Sequence, residues 1–254
     1  MKKNYKIQRP KTLLPVRTLV TIPYEGKDFT FAFPAFGPDY FSNNIQKMKE
    51  KYSHPETGEA ISFRQPTTPE SIAVASFAFQ HNNEEFASVK RDIFDPLWLQ
   101  LGYLVKTNDG VYINPTLNEK GIASTNKFEL KKLRERSEKV NDIYLGKNNF
   151  AFAPYESFKT GEQSHQEFLE GGLARALEGT PNKKAENLAH IASSQCYKHG
   201  VYVYGFDPVS KPMLRVASMG SDRDVDEDRL GVSGDWNNDS YVFGVFDVSG
   251  EAHT

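Results

Sequence analysis

The sequence predicts an α+β fold with a mostly antiparallel sheet, and three observations support this prediction. Aromatic residues make up 13% of the 254 residues, and large rings favour strands and buried sheet faces. Helical spacing and capping signals lie mainly in the middle of the chain. The last quarter consists of short β-branched and aromatic runs separated by turn residues. We expect the helices to pack on one face of the sheet, and strands from both ends of the chain to combine in it.

The chain begins with a basic segment, residues 1–17, which carries six Lys or Arg residues and no acid. Pro10 and Pro15 restrict the backbone, so we expect an extended arm. The rest, residues 18–248, is predicted to be a single α+β domain.

Hairpin and helix signals alternate in the first half of this domain. The sequence Thr-Thr-Pro-Glu at 67–70 is the strongest helix start, with a threonine N-cap, a proline at the first helical position and a glutamate in the first turn. The turn sequence at 108–110, Asn-Asp-Gly, is typical of a hairpin. The predicted elements are strands 18–23 and 29–35, helix 39–52, strand 61–64, helix 70–81, and strands 103–106 and 111–114.

The second half begins with a polar segment, 115–124, that we interpret as a possible internal linker. Because only residues 179–182 separate two helical patterns, we expect these helices to form an antiparallel helical hairpin. The final strands are predicted to form a C-terminal β-meander. The predicted elements are helix 126–140, strand 149–153, helices 162–178 and 183–198, and strands 201–206, 213–219, 229–233 and 241–248.

Composition and charge exclude several classes of protein. The net charge is −2, which disfavours a general nucleic-acid binder. No run approaches the ~20 apolar residues that span a bilayer, so we expect no membrane partner. A single cysteine, Cys196, excludes an internal disulfide and favours a cytoplasmic location. Dinucleotide, phosphate-loop, paired-cysteine and nucleophile-elbow motifs are absent from the sequence.

The helical hairpin supplies the first candidate site. His165 and Cys196 lie on apolar helix stripes, equally far from the connection, so we expect them to face each other, with His199 and Glu162 close by. Such a group could form a nucleophile pair or a metal site. The alternative is that these residues simply close the edge of the core, where cysteine behaves as a small hydrophobe.

Alternating carboxylates supply a second and weaker candidate, a cation site at Asp222, Asp224 and Asp226. Glu227 stands where a calcium loop of the EF-hand type requires glycine, and neighbouring arginines reduce the negative charge. A solvated hairpin loop is therefore the favoured interpretation.

Three function classes remain open. A binding or interaction protein without catalysis comes first, because no residue spacing demands chemistry. An enzyme or metalloprotein that uses the His/Cys group comes second, and a nucleic-acid accessory protein that uses the basic arm comes third. The sequence specifies no cofactor, substrate or partner, and it does not decide whether the protein is an enzyme.

Overall fold

The computed structural model describes residues 14–81, 84–95, 97–117, 123–193, 195–222, 228–235 and 239–247. Within these ranges the protein has an α+β fold with mostly antiparallel strands, as the sequence predicted. The helices are α1 Phe41–Lys49, α2 Thr68–Gln80, α3 Glu84–Ser88, α4 Lys127–Glu135, α5 His165–Glu170, α6 Gly172–Glu178 and α7 Glu186–Ile191.

The strands are β1 Thr18–Tyr24, β2 Lys27–Phe33, β3 Phe36–Asp39, β4 Tyr52–Ser53, β5 Ala60–Ile61, β6 Trp98–Lys106, β7 Gly110–Ile113 and β8 Glu138–Val140. They continue with β9 Ile143–Leu145, β10 Ala151–Pro154, β11 Gly161–Gln163, β12 Val201–Tyr204, β13 Met213–Asp222, β14 Arg229–Ser233, β15 Ser240–Val242 and β16 Val245–Phe246.

One large sheet organises the fold, with the strand order β11-β12-β14-β13-β6-β7-β10-β9-β8. β15 lies beside both β6 and β3. A smaller sheet has the order β1-β2-β16. Because β16 pairs antiparallel with β2, strands from the two ends of the chain do combine, as expected.

Helices cover both faces of the large sheet, which corrects the prediction of one covered face. Ala151 and Ala153 of β10 belong to the main core together with α2, α5, α6 and α7. Phe152, between them, points to the other side and joins a cluster with Leu130 of α4. α1 packs on that second side as well, through a cluster that includes Val216 of β13. The alternation of strand side chains thus gives the sheet two buried faces.

The predicted start of α2 is confirmed. Thr67 is the N-cap, and its side chain and that of Glu70 form the reciprocal bonds of a capping box. Glu70 also accepts two hydrogen bonds from Arg64 at 2.7 and 2.8 Å. Both predicted hairpins of the first half are present as β1–β2 and β6–β7.

The predicted helical hairpin of 162–178 and 183–198 is not confirmed. Residues 161–163 form β11 instead of helix, because they pair with β12. Gly171 then adopts an extended backbone and separates α5 from α6. A side chain at Gly172 would collide with Ser157, so close packing requires glycine there. α7 spans only six residues and ends at Ile191.

The predicted C-terminal meander is also not confirmed. β13 and β14 form the expected antiparallel pair. However, β12 pairs with β14 in parallel, and β15 and β16 pair with β3 and β2. The last strands are therefore distributed over two sheets.

The two segments predicted outside regular structure are only partly described. Residues 1–13 of the arm lie outside the described residues, whereas Arg17 stacks on the ring of Phe36 at 3.9 Å. In the predicted linker, Leu117 and Ala123 form a bridge on either side of residues 118–122, which are not described. Across the described ranges no helix combines the length and the apolar character that crossing a bilayer requires.

Candidate functional site

The four residues of the predicted His/Cys group lie on different elements. Glu162 is in β11, and His165 is the first residue of α5. Cys196 and His199 lie between α7 and β12. The Cys196 thiol packs against the main core, with its Sγ 3.9 Å from the carbonyl oxygen of His190. Among the described residues, no three His, Cys, Asp or Glu side chains are grouped so that they could hold one metal ion.

Strand pairing, rather than a helical hairpin, joins the segments that carry the two histidines. Gln163 is opposite Val201 in the antiparallel β11–β12 pair, and His165 follows as the first residue of α5. The Nε2 atom of His165 is buried and has no hydrogen-bond partner, whereas His199 is exposed. Neither histidine lines either of the two pockets described below.

Arg229 joins one residue from each predicted site. Its guanidinium, in a side chain that is 10% exposed, donates to Glu162 at 2.9 Å and to Asp222 at 3.0 Å. It also lies over the ring of Tyr202 at 4.1 Å. The carboxylates of Glu162 and Asp222 are therefore already paired with the guanidinium of Arg229. Asp224 and Asp226, the other members of the acidic loop, lie outside the described residues.

A pocket lies elsewhere, on the sheet face that α1 and α4 cover. It has a volume of about 650 Å³, within the range typical of small-molecule sites. Tyr103 packs with the α1 cluster and Leu133 with the α4 cluster, so the pocket borders both clusters. The lining residues are Gln65, Pro66, Thr67, Tyr103, Asn114, Pro115, Thr116, Leu117, Leu133, Arg136, Ser137, Gly146, Lys147, Asn148 and Phe150.

Asparagine side chains hold one wall of this pocket in place. The Asn114 carboxamide accepts hydrogen bonds from the backbone N–H and the hydroxyl of Thr68, at 3.1 and 3.0 Å, and donates to the carbonyl of Asn149 at 2.9 Å. Asn149 in turn donates to the Thr67 hydroxyl at 3.0 Å. Asn114, Asn148 and Asn149 all have positive φ, a conformation that asparagine tolerates better than most residues. The network ties the start of α2, the end of β7 and the β9–β10 loop together.

Two cationic side chains line the pocket. Arg136 caps the C-terminus of α4, and Lys147 lies in the β9–β10 loop. Both side chains are exposed, and no acidic side chain of the described chain forms an ion pair with either. The described lining residues include no Asp, Glu, His or Cys. The pocket therefore combines an apolar interior with positive charge.

Tyr103 adds a phenol to the same pocket. Its ring makes an edge contact with Phe41, with the centroids 4.8 Å apart, and burial raises the pKa of its hydroxyl. The hydroxyl is therefore protonated at neutral pH and remains a hydrogen-bond donor.

A second pocket, of about 510 Å³, lies near the start of α7. Its most buried acid, Glu178, accepts hydrogen bonds from the backbone N–H groups of Glu186 and Leu188, each at 3.0 Å. Burial raises the pKa of Glu178, despite these bonds. The His81 ring in the same pocket stacks on the Phe77 ring, with the centroids 3.9 Å apart, and its Nδ1 atom forms a hydrogen bond with the carbonyl oxygen of Phe77. Glu178 and His81 of this second pocket are thus already engaged in contacts within the protein.

Sequence reasoning missed the residues of the larger pocket. They come from segments scattered between residues 65 and 150, and no spacing links them. The usable signals were local: the polar stretch 115–124 contributes three lining residues, and the Asn pair at 148–149 marks a tight turn. In comparisons with known proteins, no family model, no curated protein and no solved structure matches this chain.

Proposed function

We propose that this protein binds a small molecule in the pocket lined by Tyr103, Leu133 and Phe150, and does so without catalysing a reaction. The observation that carries the proposal is the pocket itself: about 650 Å³, partly open, with an apolar interior and a few fixed polar groups. Phe150 and Leu133 offer apolar contact, and the Asn114–Asn149 network keeps the wall rigid before any ligand arrives. A preformed site loses less entropy on binding than a site that must be ordered.

Binding is favoured over catalysis by the kind of groups in the pocket. General acid–base chemistry most often uses imidazole or carboxylate, and nucleophilic chemistry needs an activated hydroxyl, thiol or amine. The described lining residues offer hydroxyls but neither imidazole nor carboxylate to activate them. The proposal includes a cytoplasmic location, for which the lone cysteine is the support.

The test uses N-phenyl-1-naphthylamine, a neutral apolar dye whose fluorescence rises in apolar surroundings. We expect the native protein to bind it at one site. The variant Thr116→Phe places a ring in the pocket mouth from an exposed position, and we expect it to weaken dye binding at least about tenfold, which is about 1.4 kcal/mol.

The matched control is Thr57→Phe, which adds the same ring at another exposed threonine, one that does not line the pocket. Circular dichroism melting must show that both variants keep their fold. A native protein that does not bind the dye, or equal binding by both variants, would overturn the proposed function.

A further inference from the structure

We infer that the ligand of this pocket is an organic acid: an apolar body that carries an anionic carboxylate or phosphate group. This inference rests on the proposed function, because it names the class of molecule that the same pocket accepts. It follows from three features of the pocket: the positive sign of its charge, cations that form no ion pair with a described acid, and hydrogen-bond donors that can reach a ligand.

The charge of the pocket has one sign. Arg136 and Lys147 line it, and the described lining includes no carboxylate to offset them. The buried or half-buried cations Arg64, Lys106, Arg175 and Arg229 all form ion pairs, whereas exposed lysines such as Lys49, Lys183 and Lys211 form no ion pair with a described acid. The chain has slightly more acidic than basic residues, with 33 Asp and Glu against 31 Lys and Arg. Two cations beside an apolar cavity, in no ion pair with a described acid, are therefore available to an external anion.

Arg136 has a second role that must be separated from ligand binding. It is the C-cap of α4, where a positive charge interacts favourably with the helix dipole. That role accounts for its position on the helix but says nothing about the pocket. Lys147 has no such explanation, because it lies in the loop between β9 and β10. The two cations come from different elements, and both line the same pocket.

Tyr103 and the guanidinium supply directed donors as well as charge. The Tyr103 hydroxyl forms no hydrogen bond with another described residue and stays protonated, so it can donate to an anionic oxygen. Arginine presents a planar fork that matches the two oxygens of a carboxylate or phosphate. Leu133 and Phe150 would then contact the apolar body of the ligand.

The experiment compares two dyes that differ mainly in one acid group. N-phenyl-1-naphthylamine is neutral, whereas 8-anilino-1-naphthalenesulfonate carries the same ring system with a sulfonate. We expect the native protein to bind the sulfonate dye more tightly at low salt. The double variant Arg136→Gln/Lys147→Gln should weaken sulfonate binding about tenfold, equivalent to about 1.4 kcal/mol, and should change neutral-dye binding less than about twofold.

The control variant is Lys131→Gln, which removes one charge from the same helix at a position outside the pocket. We expect it to leave the affinity for both dyes unchanged. Displacement of the sulfonate dye then identifies the acid group: octanoate and octyl phosphate represent the two kinds of anion, and octanol is the neutral reference. Displacement by either acid, but not by octanol at equal concentration, supports the inference.

The outcomes separate the two proposals. If the native protein does not bind the neutral dye, the proposed function fails. If the neutral dye binds as tightly as the sulfonate dye, or if the double variant binds both dyes normally, the pocket binds small molecules but the acid class is wrong. Displacement by octanol as effective as that by octanoate would overturn the inference in the same way.

Discussion

Arg175 of α6 carries an almost fully buried guanidinium, and removing its acidic partner tests how much the fold depends on that pair. The side chain is 4% exposed and forms an ion pair with Asp142, which is 46% exposed. Arg175 Nε also donates to the carbonyl of Glu170 at 3.2 Å, while its second terminal nitrogen is buried without a hydrogen bond. The variant Asp142→Ala leaves this charge buried with one backbone acceptor.

The expected cost follows from the burial of the two partners. Breaking a buried pair by removing one partner costs about 3–5 kcal/mol, because an uncompensated charge is left behind. Asp142 is half exposed, so its attraction is screened and water can reach the place it leaves. We therefore expect Asp142→Ala to lower the free energy of unfolding by about 2 kcal/mol.

The assay is urea unfolding followed by far-ultraviolet circular dichroism at pH 7. Asp92→Ala is the matched control, because Asp92 forms a bidentate pair with Arg91 whose side chain is 72% exposed, and such a pair contributes little. In an Arg175→Met background, which removes the buried charge, Asp142→Ala should have almost no further effect. Equal effects of Asp142→Ala and Asp92→Ala, or an unchanged effect in the Arg175→Met background, would refute the reasoning.

Two further predictions concern pH and packing. Hydrogen bonds from Lys47 and then Asn43 lower the pKa of Asp39 from the usual 3.8 to about 2. The ionised form is thus favoured in the folded state, so this contribution to stability is complete above about pH 4 and is lost as the pH falls towards 2. Urea unfolding should show Asp39→Asn to be less stable than the native protein at pH 6, with a smaller difference at pH 3; a constant difference would contradict the assignment. A β-carbon at Gly220 would lie 2.8 Å from the indole of Trp98, so Gly220→Ala should lower the free energy of unfolding by about 1–3 kcal/mol. The near-ultraviolet circular dichroism should change as well, because the indole must shift. An unchanged spectrum and stability would show that the indole moves freely.

The sequence determined the features that depend on neighbouring residues. The helix start at 67–70 formed with a threonine N-cap and a glutamate in the first turn, as predicted, because these groups lie within one helical turn. The β6–β7 hairpin followed from the turn sequence at 108–110, and β1–β2 from two alternating runs close together. The α+β class followed from these local signals.

The tertiary structure decided everything that depends on distant partners. Residues 162–163 were predicted as the start of a helix, yet hydrogen bonds to β12, some forty residues later in the chain, make them part of a strand. As a result, the predicted helical hairpin does not form, and His165 starts the short helix α5. The pocket likewise combines Arg136 from a helix end, Lys147 from a loop and Tyr103 from a strand. Periodicity records only which face of an element is apolar; which elements then pack together depends on the burial and hydrogen bonding of the whole chain.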